Sequence, residues 1–66
     1  MAATYKKLWK LLIDKEIKKS ELQKQAEISG NVLARLNRDE YVSMESLEKI
    51  CKVLKCDIGD IIEFVD

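Results

Sequence analysis

The chain has 66 residues, which is enough for one domain, and at 47% hydrophobic it is too apolar to remain disordered. It has no proline and two glycines, a composition that favours helices joined by short turns. The formal net charge is zero, yet residues 1–38 hold nine of the twelve basic residues and four of the twelve acids. The N-terminal part is therefore basic and could face phosphate, while the acidic remainder faces away.

No part of the sequence is apolar for long enough to cross a membrane. The run Leu11–Ile13 has three residues, whereas a spanning helix needs about 20. Charged residues interrupt the N-terminal region, so we expect no signal peptide and a cytoplasmic protein. The two cysteines, Cys51 and Cys56, fit that location as reduced thiols.

The first helix is predicted from about Thr4 to Glu16, with Thr4 as its N-cap. Its apolar residues recur at helical spacing between lysines, and they are Tyr5, Leu8, Leu11 and Leu12. Trp9 lies one residue beyond this stripe, and two interpretations stay open. It packs in the core, or it forms an exposed patch with Phe64 and Val65 that contacts a second copy.

Two short helices follow, from about Lys19 to Glu27 and from about Gly30 to Asn37. The first of them has Ser20 as one possible N-cap, while the register of the pair puts the cap nearer Lys18, and Ser29 caps the second helix. Their apolar residues are Leu22, Ala26, Leu33 and Leu36. Helices of two turns are unstable alone, and a helix-turn-helix unit is the common way to hold two of them together.

The fourth helix is predicted from about Met44 to Lys55, with Ser43 as its N-cap and a continuous apolar stripe. A fifth helix is predicted from about Ile58 to Phe64, with Asp57 as its N-cap. Together these segments predict an all-α fold, a compact five-helix domain that spans residues 1–66.

The third helix has two chemically different sides. At about 100° per residue, Gly30, Asn31, Ala34, Arg35 and Arg38 share one arc, opposite Val32, Leu33 and Leu36. Such a helix buries its large apolar side chains and exposes its hydrogen-bond donors, as a recognition helix does. Asn31 can bond adenine and Arg35 guanine, each through two hydrogen bonds. We expect Arg38, Lys18 and Lys19 to contact phosphate.

The stretch IKKSELQKQAEISGNVLARLN, residues 17–37, resembles the helix-turn-helix of the Cro/repressor (XRE-type) family. The segment SMESLEKICKVLKCDIGDIIEF, residues 43–64, is similar to that family's fourth and fifth helices. The resemblance implies five helices and DNA binding by the third helix in the major groove. It implies a phosphate contact for Lys19, base-facing positions for Ser29, Gly30, Asn31 and Arg35, and backbone contacts for Tyr41 and Ser43.

Some residues depart from the family's pattern. Gln23 stands where the family usually has alanine, and Glu27 stands where it usually has glycine. A glutamate held at positive φ costs about 1 kcal/mol, unless the turn differs in shape. Gly30 offers no side chain to a base, and Asp39 and Glu40 bring negative charge near the expected DNA surface.

Metal and cofactor sites are not expected. The sequence has no histidine, and two thiols cannot complete a tetrahedral zinc site, so we expect Cys51 and Cys56 to be buried and inert. Asp57, Asp60 and Glu63 do not have the spacing of a calcium-binding loop.

The sequence therefore predicts a sequence-specific transcriptional regulator that binds double-stranded DNA as a homodimer, because one small recognition helix buries too little surface to be specific. An alternative is a protein-interaction module on the same scaffold, of the antitoxin or antirepressor type. The zero net charge, Gly30 and the acidic C-terminal part favour that alternative. We expect no enzyme activity, small-molecule substrate or membrane partner, since histidine and a glycine-rich phosphate loop are absent.

Overall fold

The computed structural model describes residues 1–66. It contains four helices, α1 (Lys6–Asp14), α2 (Lys19–Ala26), α3 (Gly30–Asn37) and α4 (Met44–Leu54). A single 3-10 turn covers Ile58–Asp60, and two strands, β1 (Ala2–Thr4) and β2 (Glu63–Val65), pair at the chain ends. None of the helices has the length and apolar character needed to cross a membrane.

The all-α prediction is confirmed in part, because four helices form, but the predicted fifth helix is wrong. The segment expected to be helical from Ile58 to Phe64 makes one 3-10 turn and then enters β2. β2 pairs antiparallel with β1, with Ala3 opposite Phe64 and Thr4 opposite Glu63. Short runs of isoleucine, phenylalanine and valine fit a strand as well as a helix, and the N-terminal residues supply the partner strand that decides between them.

The start of the first helix is also corrected. Thr4 belongs to β1 and is not the N-cap, because Tyr5 occupies that position and no side chain caps the helix there. Thr4 Oγ1 accepts a hydrogen bond from the Lys6 amide at 3.4 Å. The helix ends at Asp14, and Glu16, expected to be its last residue, lies beyond it with φ of 56°.

Each helix contributes to a single core of eleven buried residues. They are Tyr5, Leu8, Leu12, Leu22, Ala26, Ile28, Leu36, Leu47, Ile50, Leu54 and Ile61. Ile17, between α1 and α2, packs partly against this core. The apolar stripes predicted for α1, α2 and α4 therefore face inward, except for Met44 at the start of the α4 stripe, which is 67% exposed.

Buried Tyr5 ties the start of α1 to the loop between α3 and α4. Its amide donates to Asp39 Oδ1 at 3.2 Å, and its hydroxyl donates to the Glu40 carbonyl at 2.8 Å. Burial raises the pKa of the Tyr5 hydroxyl, and the charge of Asp39 and then Tyr41 add to that rise. These two hydrogen bonds fix the position of the loop that follows α3.

Helix ends in this chain use the left-handed backbone conformation without glycine. Glu16, Glu27, Asp39 and Lys55 have φ between 54° and 56°, while neither glycine has positive φ. Glu27 has φ of 55° and ψ of 41° at the end of α2, so of the two alternatives for this turn, positive φ is the one that occurs. The turn therefore keeps the shape that glycine would allow, at a cost of about 1 kcal/mol.

Candidate nucleic-acid interface

The caps predicted for the two short helices are confirmed. Ser29 is the N-cap of α3, and its Oγ accepts a hydrogen bond from the Val32 amide at 3.2 Å. Lys18 is the N-cap residue of α2, and its amide donates to Glu21 Oε1 at 3.4 Å. Lys18 and Ser29 are both exposed, so the unpaired amides of the first turn of each helix remain available to an external acceptor.

The inward side of α3 differs in one residue from the prediction. Leu36 is fully buried, as expected, and Val32 packs against the core beside it. Leu33, expected to be the second anchor, is half-buried and lies outside the core cluster. The true anchors are therefore spaced i, i+4, and α3 is rotated slightly from the orientation that the Leu33–Leu36 pair predicts.

The outward side of α3 carries the residues expected to face bases. Ser29, Gly30, Asn31 and Arg35 are exposed, and Ala34 is half-buried between them. Arg35 takes part in neither of the two salt bridges of the chain. Its guanidinium therefore keeps its donors free for an external acceptor, and guanine or phosphate would match their geometry.

Gly30 leaves open space at the start of α3. A Cβ added there would meet only Gln23 Nε2, at an ordinary contact distance of 3.8 Å, and φ is not positive. Neither the packing nor the backbone therefore requires glycine at this position. What glycine does provide is close access to the backbone amides at the helix start.

Lys19 is held in place by two neighbouring elements. Its Nζ donates to Asn37 Oδ1 at 2.8 Å and lies 4.1 Å from the centroid of the Trp9 ring. Trp9 packs partly against the core, and it does not line the apolar groove that contains Phe64. The cation–π contact leaves the exposed ammonium fixed at the surface between α1 and α3, where it can still donate to a phosphate.

Arg38, expected to contact phosphate, has an intramolecular partner. Its Nε donates to Glu40 Oε2 at 2.8 Å, and its guanidinium also donates to Oε1 at 3.3 Å. The hydrogen bond from Arg38 lowers the pKa of Glu40, and the same pair raises the pKa of Arg38. Both side chains are exposed, so phosphate would compete with a carboxylate for this arginine.

The acids that the sequence places near the DNA surface are both paired. Asp39 accepts the Tyr5 amide, and Glu40 accepts Arg38. The sequence does not predict that Tyr5 holds this loop, because its hydrogen bonds to Asp39 and Glu40 span more than thirty positions and leave no local pattern. Both carboxylates therefore have partners within the protein, so they repel a bound phosphate less than free carboxylates would.

Tyr41 and Ser43, expected to touch the DNA backbone, have different surroundings. Tyr41 is 64% exposed and lines the groove that contains Phe64. Ser43 is the N-cap of α4, where Oγ accepts the Ser46 amide at 3.1 Å and donates to Ser46 Oγ at 3.0 Å. The cap is confirmed, and the hydroxyl of Ser43 is already used within the protein.

Comparison with known proteins agrees with this geometry. The Cro/C1-type HTH DNA-binding domain matches residues 7–66 of the chain. Among solved structures, the chain is similar to the crystal structure of transcriptional regulator VanUg, Form II, with 48% sequence identity and a TM-score of 0.92 over 94% of this chain and 83% of that chain. No curated protein matches. The fold, the α2–α3 turn and the family match over nearly the whole length establish that the chain belongs to the Cro/C1-type helix-turn-helix DNA-binding domain family.

Proposed function

We propose that the chain is a sequence-specific transcriptional regulator that places α3 in the major groove of double-stranded DNA. The observation that carries this proposal is the outer face of α3, where Asn31 and Arg35 are exposed and Arg35 has no salt-bridge partner. Beneath them Leu36 is fully buried, so the helix is rigidly seated. A fixed helix with free donors is what base recognition needs.

The contacts divide into two groups. Base edges are read by Ser29, Gly30, Asn31, Ala34 and Arg35, and phosphates are held by Lys18, Lys19 and Arg38. The phosphate contacts expected of Tyr41 and Ser43 are not part of this proposal, because Tyr41 lines the apolar groove and the Ser43 hydroxyl caps α4. Gly30 and the half-buried Ala34 let the helix approach the bases closely, while the larger side chains carry the hydrogen bonds. Lys19 is the phosphate contact with the strongest support, because Trp9 and Asn37 already hold its ammonium in place. Arg38 contacts phosphate only after it leaves Glu40.

Fluorescence anisotropy with a mixed pool of short duplexes tests DNA binding. The affinity should fall steeply with salt, with a log–log slope of about −0.9 per phosphate contacted. Arg35→Ala should weaken binding to a single duplex selected from that pool by about 1–3 kcal/mol. Lys52 is exposed on α4, away from the proposed DNA-binding residues, so Lys52→Ala removes the same charge and serves as the matched control. Binding that ignores salt, or equal losses in both variants, would contradict the proposal.

The proposed regulator acts as a homodimer, so that two copies of α3 read two half-sites. The support is an apolar groove of about 520 Å³, eight of whose ten lining residues are hydrophobic. Three of them are large and exposed: Tyr41 at 64%, Met44 at 67% and Phe64 at 61%. Apolar surface gathered in this way on a small protein is typical of an association site.

The partner that fits this surface is a second copy of the chain. β2 has a neighbour on one side only, so its outer edge has unpaired backbone groups, and all three of its residues are exposed. Two antiparallel copies of β2 centred on Phe64 would set Glu63 of each copy opposite Val65 of the other, so no like charges would face each other. A two-fold pairing of this kind is self-complementary, as a symmetric dimer requires.

Sedimentation velocity without DNA tests the dimer separately from DNA binding. Phe64→Asp should shift the protein to monomer, because it places a charge in the centre of the interface. Ile13→Asp is the matched control, since Ile13 is 75% exposed and does not line the groove. A monomeric native chain, or a dimer that tolerates Phe64→Asp, would remove this interface. A stable dimer without salt-dependent DNA binding would favour the protein-interaction module.

A further inference from the structure

The two cysteines lie side by side where α4 ends. Lys55 adopts the left-handed conformation, with φ of 54° and ψ of 51°, and turns the chain back on the helix. The Cys56 amide consequently donates to the Cys51 carbonyl at 3.1 Å. Both cysteine side chains also line the same surface groove. The sequence predicts buried, inert thiols, but both side chains are half-buried.

The pair is also accessible. Both thiols line one open surface groove, together with Glu48, Lys52 and Lys55. They are the only cysteines of the chain, and no group of three or more potential metal ligands exists anywhere in it. Two adjacent thiols without further ligands suit a covalent bond between them better than a zinc ion.

We propose that Cys51 and Cys56 form a reversible disulfide that fastens the last turn of α4 to the segment leading into the 3-10 turn. The oxidant is a low-molecular-weight disulfide such as oxidised glutathione. A disulfide needs Cα atoms about 4.4–6.8 Å apart and side chains directed toward each other. The backbone hydrogen bond brings the two residues together at the end of α4, and their side chains line the same groove, which favours this arrangement.

The order of events follows from the surroundings of Cys51. Burial, and next the neighbouring Cys56, raise the pKa of the Cys51 thiol to about 11, so this thiol stays protonated at neutral pH. The Cys56 sulfur therefore attacks the small disulfide first, its thiol proton passing to solvent, and forms a mixed disulfide as one small thiolate leaves. Cys51 then loses its proton, its sulfur attacks Cys56 Sγ, and the second small thiol leaves. Two electrons pass from the pair to the oxidant, which ends as two thiols.

Mass spectrometry of the full chain in glutathione buffers at neutral pH, after acid quenching and alkylation, tests this proposal. The native protein should become lighter by two hydrogen atoms, carry no glutathione and resist alkylation. Its effective thiol concentration should be at least about tenfold higher than in concentrated urea, where the helix end is lost. Two glutathione adducts on the native protein, or equal values in buffer and urea, would overturn the proposal.

A displaced thiol provides the matched control. Cys51→Ala with Glu48→Cys keeps two thiols on the same groove but moves one of them a helical turn away from Cys56. The effective thiol concentration of this variant in buffer should be lower than that of the native chain by about tenfold or more, although the loop that the disulfide closes lengthens only slightly. Circular dichroism confirms that the variant folds. If it does not fold, the comparison of the native chain in buffer and urea still decides the question. A displaced pair that closes as readily as the native pair would contradict the geometry.

Discussion

The outer face of α3 and the surface around β2 are both exposed, yet they differ in chemistry. On α3 the exposed groups are small or polar, and Arg35 has no salt-bridge partner. Around β2 the exposed groups are large and apolar, with Phe64, Met44 and Tyr41 on one groove. Unpaired hydrogen-bond donors on a rigid helix suit the phosphates and base edges of DNA, whereas exposed apolar side chains suit the surface of another protein. We therefore propose a different partner for each surface, DNA for α3 and a second copy of the chain for the β2 surface.

The largest effect is expected within α3, from the contrast between its buried and outward sides. Leu36→Ala removes a fully buried side chain and should cost about 2–5 kcal/mol of unfolding free energy, enough to unfold a domain of this size. Leu33→Ala, at a half-buried position outside the core, should cost about 1 kcal/mol or less. Urea denaturation followed by circular dichroism compares them, and similar losses would mean that the orientation of α3 is wrong.

Tyr5 connects the two surfaces, because its hydroxyl holds the loop after α3 and its ring lines the groove. Tyr5→Phe should lower the unfolding free energy by about 1–2 kcal/mol, since the Glu40 carbonyl loses its donor. The groove should keep its shape, so dimerisation should survive while DNA affinity falls. A variant as stable as the native chain would show that this hydrogen bond does not fix the loop.

Alkaline pH offers a second test of the same residue. The pKa of Tyr5 is raised in the folded state, chiefly by burial, so the folded protein keeps the phenol proton longer than the unfolded chain. This contribution is complete below about pH 10, the ordinary tyrosine value, and is lost as pH rises through the folded-state pKa. Thermal denaturation between neutral pH and pH 11 should show a steeper loss for the native chain than for Tyr5→Phe.

A smaller effect concerns the turn that leads into α3. Glu27 holds a left-handed backbone conformation, and Glu27→Gly should raise stability by at most about 1 kcal/mol, because glycine also gains freedom in the unfolded state. Glu21→Gly lies inside α2 and should instead destabilise the domain. Thermal melting compares the two variants, and a destabilising Glu27→Gly would indicate a different turn.

The smallest effect concerns the charge beside α3. Glu40→Gln releases Arg38 for a phosphate, so DNA binding should tighten slightly and its log–log salt slope should steepen by about 0.9. Glu45→Gln, which breaks the Lys49–Glu45 pair on α4, removes the same charge and should leave the slope unchanged. An unchanged slope in Glu40→Gln would mean that Arg38 does not contact DNA.

The sequence predicts what depends on neighbouring residues. Helix periodicity and capping give the bounds of α3, the caps Ser29 and Ser43, and the exposed Arg35, because all of these follow from spacing within one helix. It fails where distant segments decide the outcome. β2 replaces a helix because the N-terminal strand pairs with it, and Leu33 lies outside the core cluster although Val32 and Leu36, predicted on the same side of α3, pack in it or against it.

We expect α3 and the start of α2 to face DNA and the β2 surface to face away from it. Titration of the nitrogen-15-labelled protein with duplex DNA at low salt, followed by amide NMR shifts, tests it residue by residue. We predict the largest shifts at Lys18, Lys19 and Ser29 to Arg35, with Phe64 and Val65 nearly unchanged within the dimer. Shifts concentrated at Phe64 and Val65, with Asn31 and Arg35 unaffected, would show that the β2 surface and not α3 binds DNA.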